Sequence, residues 1–328
     1  MSNTENILSV RNLNISISSG NGILRIIKNA EFDLKIGTTL GIIGESGSGK
    51  SMLSKALLRL LPNNSQISGN IFFSPNGEET LDILALSDGK LRAIRGKKIG
   101  FLSQEPLSSM NPVRKCGKQI YDALPGFRTT DRKAGNIRVL ELLELTGLND
   151  PSSVSDSYPH ELSGGMLQRV ALAAALAGEP DILIADEPTT ALDASSRVGI
   201  MKTIAKLKKE MNLSTFLISH DIDFIADWID DLMVMYLGRI VEFGSAEKLF
   251  SSPTHPYTKA LMEVSKSYAP NSRPKPIRGD IPSLDNKIKG CKFHPRCDSA
   301  QDKCSIEDPP IEKASHGGQI RCFFPITT

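Results

Sequence analysis

Gly44-Glu45-Ser46-Gly47-Ser48-Gly49-Lys50-Ser51 fits the pattern G-x-x-x-x-G-K-[ST] and lies between an apolar run, Leu40–Ile43, and a helical one beginning at Lys50. Strand, glycine-rich loop and helix is the context this pattern requires. Glycines at 44, 47 and 49 let backbone N–H groups turn inward unobstructed, and the dipole at the start of the helix favours an anion. Such a loop cradles a triphosphate, with Lys50 reaching the β- and γ-phosphates and the Ser51 hydroxyl ligating Mg²⁺. A glycine-rich turn before a helix is the plainer reading of the loop taken alone. The rest of the chain weighs against it.

Downstream, Asp181-Ile182-Leu183-Ile184-Ala185-Asp186-Glu187-Pro188 is an apolar strand that closes on two carboxylates. Asp186 suits the surroundings of a Mg²⁺ held at the neighbouring loop, and Glu187 suits the base that orients an attacking water. A solvated acidic pair is the ordinary alternative, but it does not predict the Thr189-Thr190-Ala191-Leu192-Asp193 that follows. Between loop and acidic strand lies Tyr158-Pro159-His160-Glu161-Leu162-Ser163-Gly164-Gly165-Met166-Leu167-Gln168-Arg169. The ordered triple says far more than any one member.

Before the loop, the apolar stretches Leu8–Val10, Leu13–Ile17, Leu24–Ile27, Phe32–Ile36 and Leu40–Ile43 are broken by Gly and Asn, which suggests several strands. Lys50–Leu61 reads as a helix ended by Pro62. Further strands are expected at Ile67–Phe73 and Lys98–Leu102, then a mostly helical section to about Glu179. Strands return at Ile182–Ala185, Ser214–Ser219 and Leu232–Tyr236, with a helix at Arg197–Met211. The order places a helical insertion inside a parallel-sheet α/β nucleotide fold. The stretch 269–282 is rich in Pro, Ser and Arg and reads as a linker.

With 40% apolar and 23% charged residues, the 328-residue chain can bury a full core and one small appendage. A net charge of +2 argues against a nucleic-acid binder that works through a general electrostatic footprint. No apolar run reaches a membrane-spanning length, and Met1–Asn6 lacks the basic-then-apolar order of a signal peptide, so the cytoplasm is expected. Cys116 stands alone, whereas Cys291, Cys297, Cys304 and Cys322 cluster near the end. Structural zinc sites usually carry tight C-x2-4-C pairs, absent here, and cytosolic chains seldom keep disulfides. A [4Fe–4S] cluster takes four thiolates without a tight pair. On the residues alone, a cluster, zinc and free thiols all stay open.

Together these motifs resemble the ATP-binding subunits of ABC transporters, and more narrowly the peptide and nickel permease group. Arg95-Gly96, Gln104-Glu105-Pro106, Met110-Asn111-Pro112, the stretch from Tyr158, Ala185–Asp193 and His255-Pro256-Tyr257-Thr258 all match that group's wording, from about Leu8 to Cys322. The resemblance implies a P-loop NTPase fold of the ABC ATPase type, with an antiparallel β subdomain, a helical subdomain and a small Cys-rich extension. Residues 1–265 would form the ATPase domain, its helical subdomain about 105–180, and 266–328 the linker and four-cysteine extension.

By the same resemblance, Gln104 senses the metal and γ-phosphate while its loop contacts a membrane subunit. Ser163, Gly164 and Gly165 close over ATP bound to a partner subunit. Asp193 belongs to the loop between two such sites, and His220 stands near the γ-phosphate. A lone His after a strand is more often structural; its place beyond Glu187 reverses that expectation. The cofactors implied are ATP, Mg²⁺ and a [4Fe–4S] cluster on Cys291, Cys297, Cys304 and Cys322, with Zn²⁺ the alternative. The partners implied are a paralogous ATPase subunit, or a second copy, two membrane permease subunits and, indirectly, an extracytoplasmic substrate-binding protein. No nucleic acid is expected, and the chain would sit peripherally on the cytoplasmic face of the inner membrane.

Two departures from the group's pattern bear on nucleotide binding. Met52 stands where a Thr is usual, which removes one hydroxyl contact to the α-phosphate. No aromatic precedes the loop near Leu13–Ile17, so Ile17 is the expected packing partner for adenine. The function implied is ATP hydrolysis driving a peptide importer. The alternative is a non-transport ABC ATPase acting on nucleic acid or the ribosome, but the chain has neither the long coiled coil nor the tandem cassettes usual there.

Overall fold

The computed structural model of this chain describes residues 6–20, 22–75, 79–126, 131–190, 192–266, 276–284 and 288–326. Of the expected linker, 269–275 lie outside the described residues, as does Ala191. β1 (Asn6–Ser19) and β2 (Gly22–Lys35) form a long antiparallel pair. The five apolar stretches expected here are fewer and longer strands. Asn12 and Asn29 do not end strands; with φ of 49° and 47° they sit at irregularities within them, and the register shifts between Val10 and Leu13 and again between Leu13 and Ile15. Asn tolerates this left-handed conformation at a bulge better than most residues.

β3 (Thr39–Ile43) crosses to a second sheet and feeds the glycine-rich loop and α1 (Lys50–Ala56). α1 is shorter than the expected Lys50–Leu61. Arg59 has φ 51°, and the Arg95 guanidinium takes the carbonyls of Leu58 (2.8 Å) and Arg59 (2.9 Å). These tertiary bonds satisfy the carbonyls outside the helix, while Leu57 and Leu58 stay buried.

β4 (Ser65–Phe73) and β5 (Leu81–Asp82) complete the antiparallel sheet, in the order β2-β1-β4-β5. After α2 (Asp88–Ile94), β6 (Ile99–Leu102) enters the large sheet. The helical section follows: α3 (Pro106–Ser109), α4 (Cys116–Ala123), α5 (Arg132–Leu145), α6 (Pro151–Asp156) and α7 (Gly164–Leu176). β7 (Ile182–Asp186), α8 (Ala194–Met211), β8 (Ser214–Ile218), α9 (Ile222–Ile225), β9 (Asp231–Tyr236) and β10 (Arg239–Ser245) return to the sheet. The chain closes with α10 (Ala246–Ser251), α11 (Pro256–Lys266), α12 (Asp302–Ile306), β11 (Glu312–Lys313) and β12 (Gln319–Ile320).

The large sheet has the order β11-β12-β10-β9-β3-β8-β7-β6, parallel from β9 to β6. Its central strands are buried throughout because both faces are covered. Along β7, Ile182 and Ile184 pack into the core shared with the antiparallel sheet, while Leu183 and Ala185 pack into the core shared with the helices. β8 divides in the same way, Phe216 and Ile218 against Leu217. This is the strand period of two expressed as two cores.

The C-terminal extension is continuous with this body. β12 pairs antiparallel with β10, Glu242 opposite Ile320 and Phe243 opposite Gln319. The buried Glu242 carboxylate accepts from Thr254 N–H (2.8 Å) and Oγ1 (2.6 Å), from His255 N–H (3.2 Å) and lies 3.2 Å from His316 Nε2. Arg239, also buried, pairs with Asp308. Among the described residues no helix is long and apolar enough to cross a membrane.

Candidate active site

The parallel strands β3, β8 and β7 run side by side, so the loops after them open at one end of the sheet. That end is where open α/β sheets place their ligands. In the loop after β3, Gly44 has φ 150°, and a Cβ there would stand 2.2 Å from the Met235 carbonyl oxygen. Only glycine fits. A Cβ at Gly49, φ 100°, would meet Ile27 at 2.7 Å, so β2 covers the loop; Ile26 and Ile27 are the aliphatic residues against it. Ile17 lies near the end of β1, paired with Leu24 and Ser65, and packs on the antiparallel core.

Lys50 is buried, and its Nζ donates to the carbonyls of Gly44 (2.7 Å) and Glu45 (3.1 Å), with Ser48 Oγ at 3.4 Å. Burial pushes its pKa down, opposed by the carboxylates of Glu187, Asp186 and Glu45. Ser46 and Gly47 are exposed at the tip, whereas Ser48 is buried. Ser51 Oγ donates to Asp186 Oδ1 at 3.2 Å. Burial raises the Asp186 pKa, and the Ser51 bond lowers it. Two hard oxygen donors side by side at the mouth of a phosphate loop fit Mg²⁺. Met52 is half-buried against the antiparallel core.

Glu187 follows β7 with φ 49°, its N–H donating to the Ile218 carbonyl at 3.0 Å. This uncommon conformation belongs to a residue on which three side chains converge. Oε2 accepts from Gln104 Nε2 (2.9 Å) and Thr190 Oγ1 (2.9 Å) and lies 3.1 Å from His220 Nδ1. The Glu187 side chain is 15% exposed and that of His220 61%. Gln104, Glu187 and His220 come from the ends of three neighbouring strands, so the sheet brings them together.

Ser163 caps α7, its Oγ accepting from Met166 N–H at 3.4 Å. A Cβ at Gly164 would lie 3.7 Å from Leu192, and one at Gly165 2.9 Å from Ser196 Oγ. Asp193 caps α8, accepting from Ser196 N–H (3.0 Å) and from the hydroxyls of Ser195 (2.5 Å) and Ser196 (2.6 Å). Ser163, Gly164 and Gly165 thus stand beside Asp193, and no recorded hydrogen bond joins them to Gly44–Ser51 among the described residues.

Cys291, Cys297, Cys304 and Cys322 line one cavity with His255, Phe293 and His294. Its wall is set by turns in which Cys291 N–H donates to the Cys304 carbonyl (2.8 Å) and Cys297 N–H to the His294 carbonyl (3.3 Å). Burial pushes the thiols of Cys297 and Cys322 up to about 11 and about 12. No three metal-ligating groups among the described residues stand close enough to hold a single ion. His255 Nδ1 accepts from Tyr257 N–H (3.0 Å), which leaves the proton on Nε2. That Nε2 is buried, with the Arg321 main chain beside it. Four thiols on one cavity are a donor set of the soft kind that iron and zinc take.

Sequence reasoning missed two residues that hold the phosphate loop. Tyr257 Oη accepts from Glu45 N–H (3.0 Å), and Arg296 grips the Glu45 carboxylate. His-Pro-Tyr-Thr carried a signal without a role; Arg296 carried none, because its contact spans most of the chain.

The family described as ABC transporter matches residues 27–190, and that described as oligopeptide/dipeptide transporter, C-terminal region, matches 241–304. The chain is 37% identical to the oligopeptide transport ATP-binding protein OppD of Haemophilus influenzae, over 97% of each chain. It is also 37% identical to the dipeptide transport ATP-binding protein DppD of Bacillus subtilis, over 97% of this chain and 95% of that one. It is similar to the dimeric structure of MJ0796, a bacterial ABC transporter cassette, with TM-score 0.64 and 27% identity over 73% of this chain and 98% of that one. The post-hydrolysis MJ0796 dimer bound to ADP and Pi gives TM-score 0.63 and 26% identity over the same shares.

Proposed function

This chain belongs to the ABC transporter family, in its oligopeptide and dipeptide transport ATP-binding group, and on that footing we propose that it is the ATP-binding, ATP-hydrolysing subunit of a peptide importer. The observation that carries the reading is the convergence of Gln104, Thr190 and His220 on one oxygen of Glu187, beside the Ser51–Asp186 pair. A role on nucleic acid or the ribosome gains no support from these relatives.

Catalysis is positioning and charge neutralisation. The loop from Gly44 to Ser51 binds the phosphates through its backbone N–H groups, and Lys50 turns its ammonium from the loop carbonyls to the β- and γ-phosphates. Mg²⁺, when bound, neutralises charge on those phosphates; Ser51, Gln104 and Asp186 are the residues that would hold it. Glu187 orients the water and accepts its proton, and Gln104 and His220 fix the carboxylate. Ser163–Gly165 and Asp193 complete the site of a second ATPase subunit. Ile17 packs on the adenine, and Met52 contributes only its N–H.

The second ATPase is a paralogue, with a homodimer the alternative. Gln104 and the loop after it meet one of two permease subunits, an extracytoplasmic binding protein delivers the peptide, and the chain sits on the cytoplasmic face of the inner membrane. Cys291, Cys297, Cys304 and Cys322 hold a [4Fe–4S] cluster, with Zn²⁺ the alternative, and the support is that the four thiols line one cavity. ATP hydrolysis and peptide uptake by the chain reconstituted with its permease subunits test the importer. Glu187→Gln should lower both by about 10²- to 10⁴-fold. Free turnover by the lone chain with no peptide uptake by the assembly would overturn the importer reading. An iron and zinc assay on anaerobically purified protein tests the cluster: about four irons per chain support it, and zinc alone refutes it.

A further inference from the structure

Arg296 stands in the cysteine-rich segment, yet its guanidinium reaches the phosphate loop. Nη1 lies 2.6 Å from Glu45 Oε2 and Nη2 3.0 Å from Oε1, a two-pronged pair with side chains 5% and 17% exposed. The guanidinium is itself fixed: Nε donates to the Arg278 carbonyl (3.0 Å) and Nη1 to Tyr236 Oη (3.3 Å). Such planar, doubly bonded pairs hold geometry as well as charge. Glu45 is thereby tied at every polar group. Its carboxylate is held by Arg296, its N–H by Tyr257 Oη, and its carbonyl by Lys50 Nζ and Ser48 N–H (3.2 Å).

We propose that Arg296 is a positioning residue of the nucleotide site, holding the phosphate loop in shape through Glu45 and cancelling the one carboxylate that the loop carries. A loop whose N–H groups must converge on phosphates binds more tightly when its conformation is fixed beforehand. A carboxylate within an anion-binding loop opposes the ligand unless a cation accompanies it, and this one lies too deep for bulk solvent to screen fully. Arg296 performs both tasks, and it does so from the segment between Cys291 and Cys297, so the wall of the thiol cavity and the phosphate loop share one anchor. The inference rests on the reading of the loop as an ATP site and is independent of what the thiols hold.

Equilibrium binding of a fluorescent ATP analogue to the full-length chain, with the Arg296→Gln, Glu45→Gln and doubly substituted variants, tests it. Arg296→Gln should weaken binding about tenfold and raise KM for ATP, with kcat at saturating ATP unchanged. Adding Glu45→Gln to Arg296→Gln should restore the part of the affinity lost to the unaccompanied carboxylate, and leave lost the part that the brace supplied. A tail that had merely come loose would not be rescued by a change in the loop. Unchanged affinity in Arg296→Gln, with or without a lower melting temperature, would reduce Arg296 to a docking contact, and a double variant no tighter than Arg296→Gln would overturn the charge-cancelling task. If the unsubstituted chain binds no nucleotide, the ATP-site reading itself fails, which is a separate outcome.

Discussion

Ser51 donates its hydroxyl to Asp186 Oδ1 at 3.2 Å, joining the first turn of α1 to the end of β7. Each oxygen holds the other where a divalent cation would meet both. Ser51→Ala removes one donor and leaves the buried Asp186 unsupported. The Mg²⁺ concentration for half-maximal ATP hydrolysis should rise about tenfold or more. A Mg²⁺ titration with an unmoved midpoint would remove Ser51 from the metal site.

Gln104 and His220 both meet one oxygen, Glu187 Oε2. His220→Ala should lower kcat by about 10²-fold, with nucleotide affinity held, and Gln104→Ala by less. The double variant should be no slower than the worse single variant, since both act on one carboxylate. Multiplying effects in single-turnover hydrolysis would show separate roles.

Met52 packs half-buried on the antiparallel core. Met52→Thr supplies a hydroxyl beside the α-phosphate, so ATP affinity should rise about fivefold, the worth of one ordinary hydrogen bond. Calorimetric titration reads this directly, and equal affinities would place the residue outside phosphate contact.

The order of loop, Tyr158–Arg169 stretch and acidic strand made the parallel part of the large sheet legible, because local strand and helix signals flanked every motif; β10, β11 and β12 were not expected. What was not legible is tertiary. Arg59 unwinds the end of α1 because Arg95, far along the chain, takes the carbonyls it frees. Asn12 and Asn29 resemble strand breaks in sequence and are bulges in space. Arg296 has no local pattern at all, since nothing beside it records that Glu45 is its partner.

The Asp193 carboxylate gives the pH dependence. Hydrogen bonds from Ser195 and Ser196 hold its pKa well below the usual carboxylate range. A depressed pKa stabilises the fold above the unfolded value, and that contribution is lost as pH falls through the folded one. Asp193→Ala should lower Tm by about 2–4 °C at neutral pH, as for a lost helix cap. The gap should hold down to about pH 4 and narrow only below it. Melting curves in which it closes already near pH 6 would refute the cap.

The pairing of β3 has a consequence for synthesis. Its strand partners are β8 and β9, beginning at Ser214 and Asp231, and the loop it feeds is braced by Tyr257 and Arg296. As the chain leaves the ribosome, β1, β2 and β4 can pair early, but the phosphate loop waits for nearly the whole polypeptide. Distant pairings of this kind fold slowly. ATP can therefore reward only a finished chain, and a truncated product lacking Arg296 would leave the ribosome with its loop motif whole and its last brace missing.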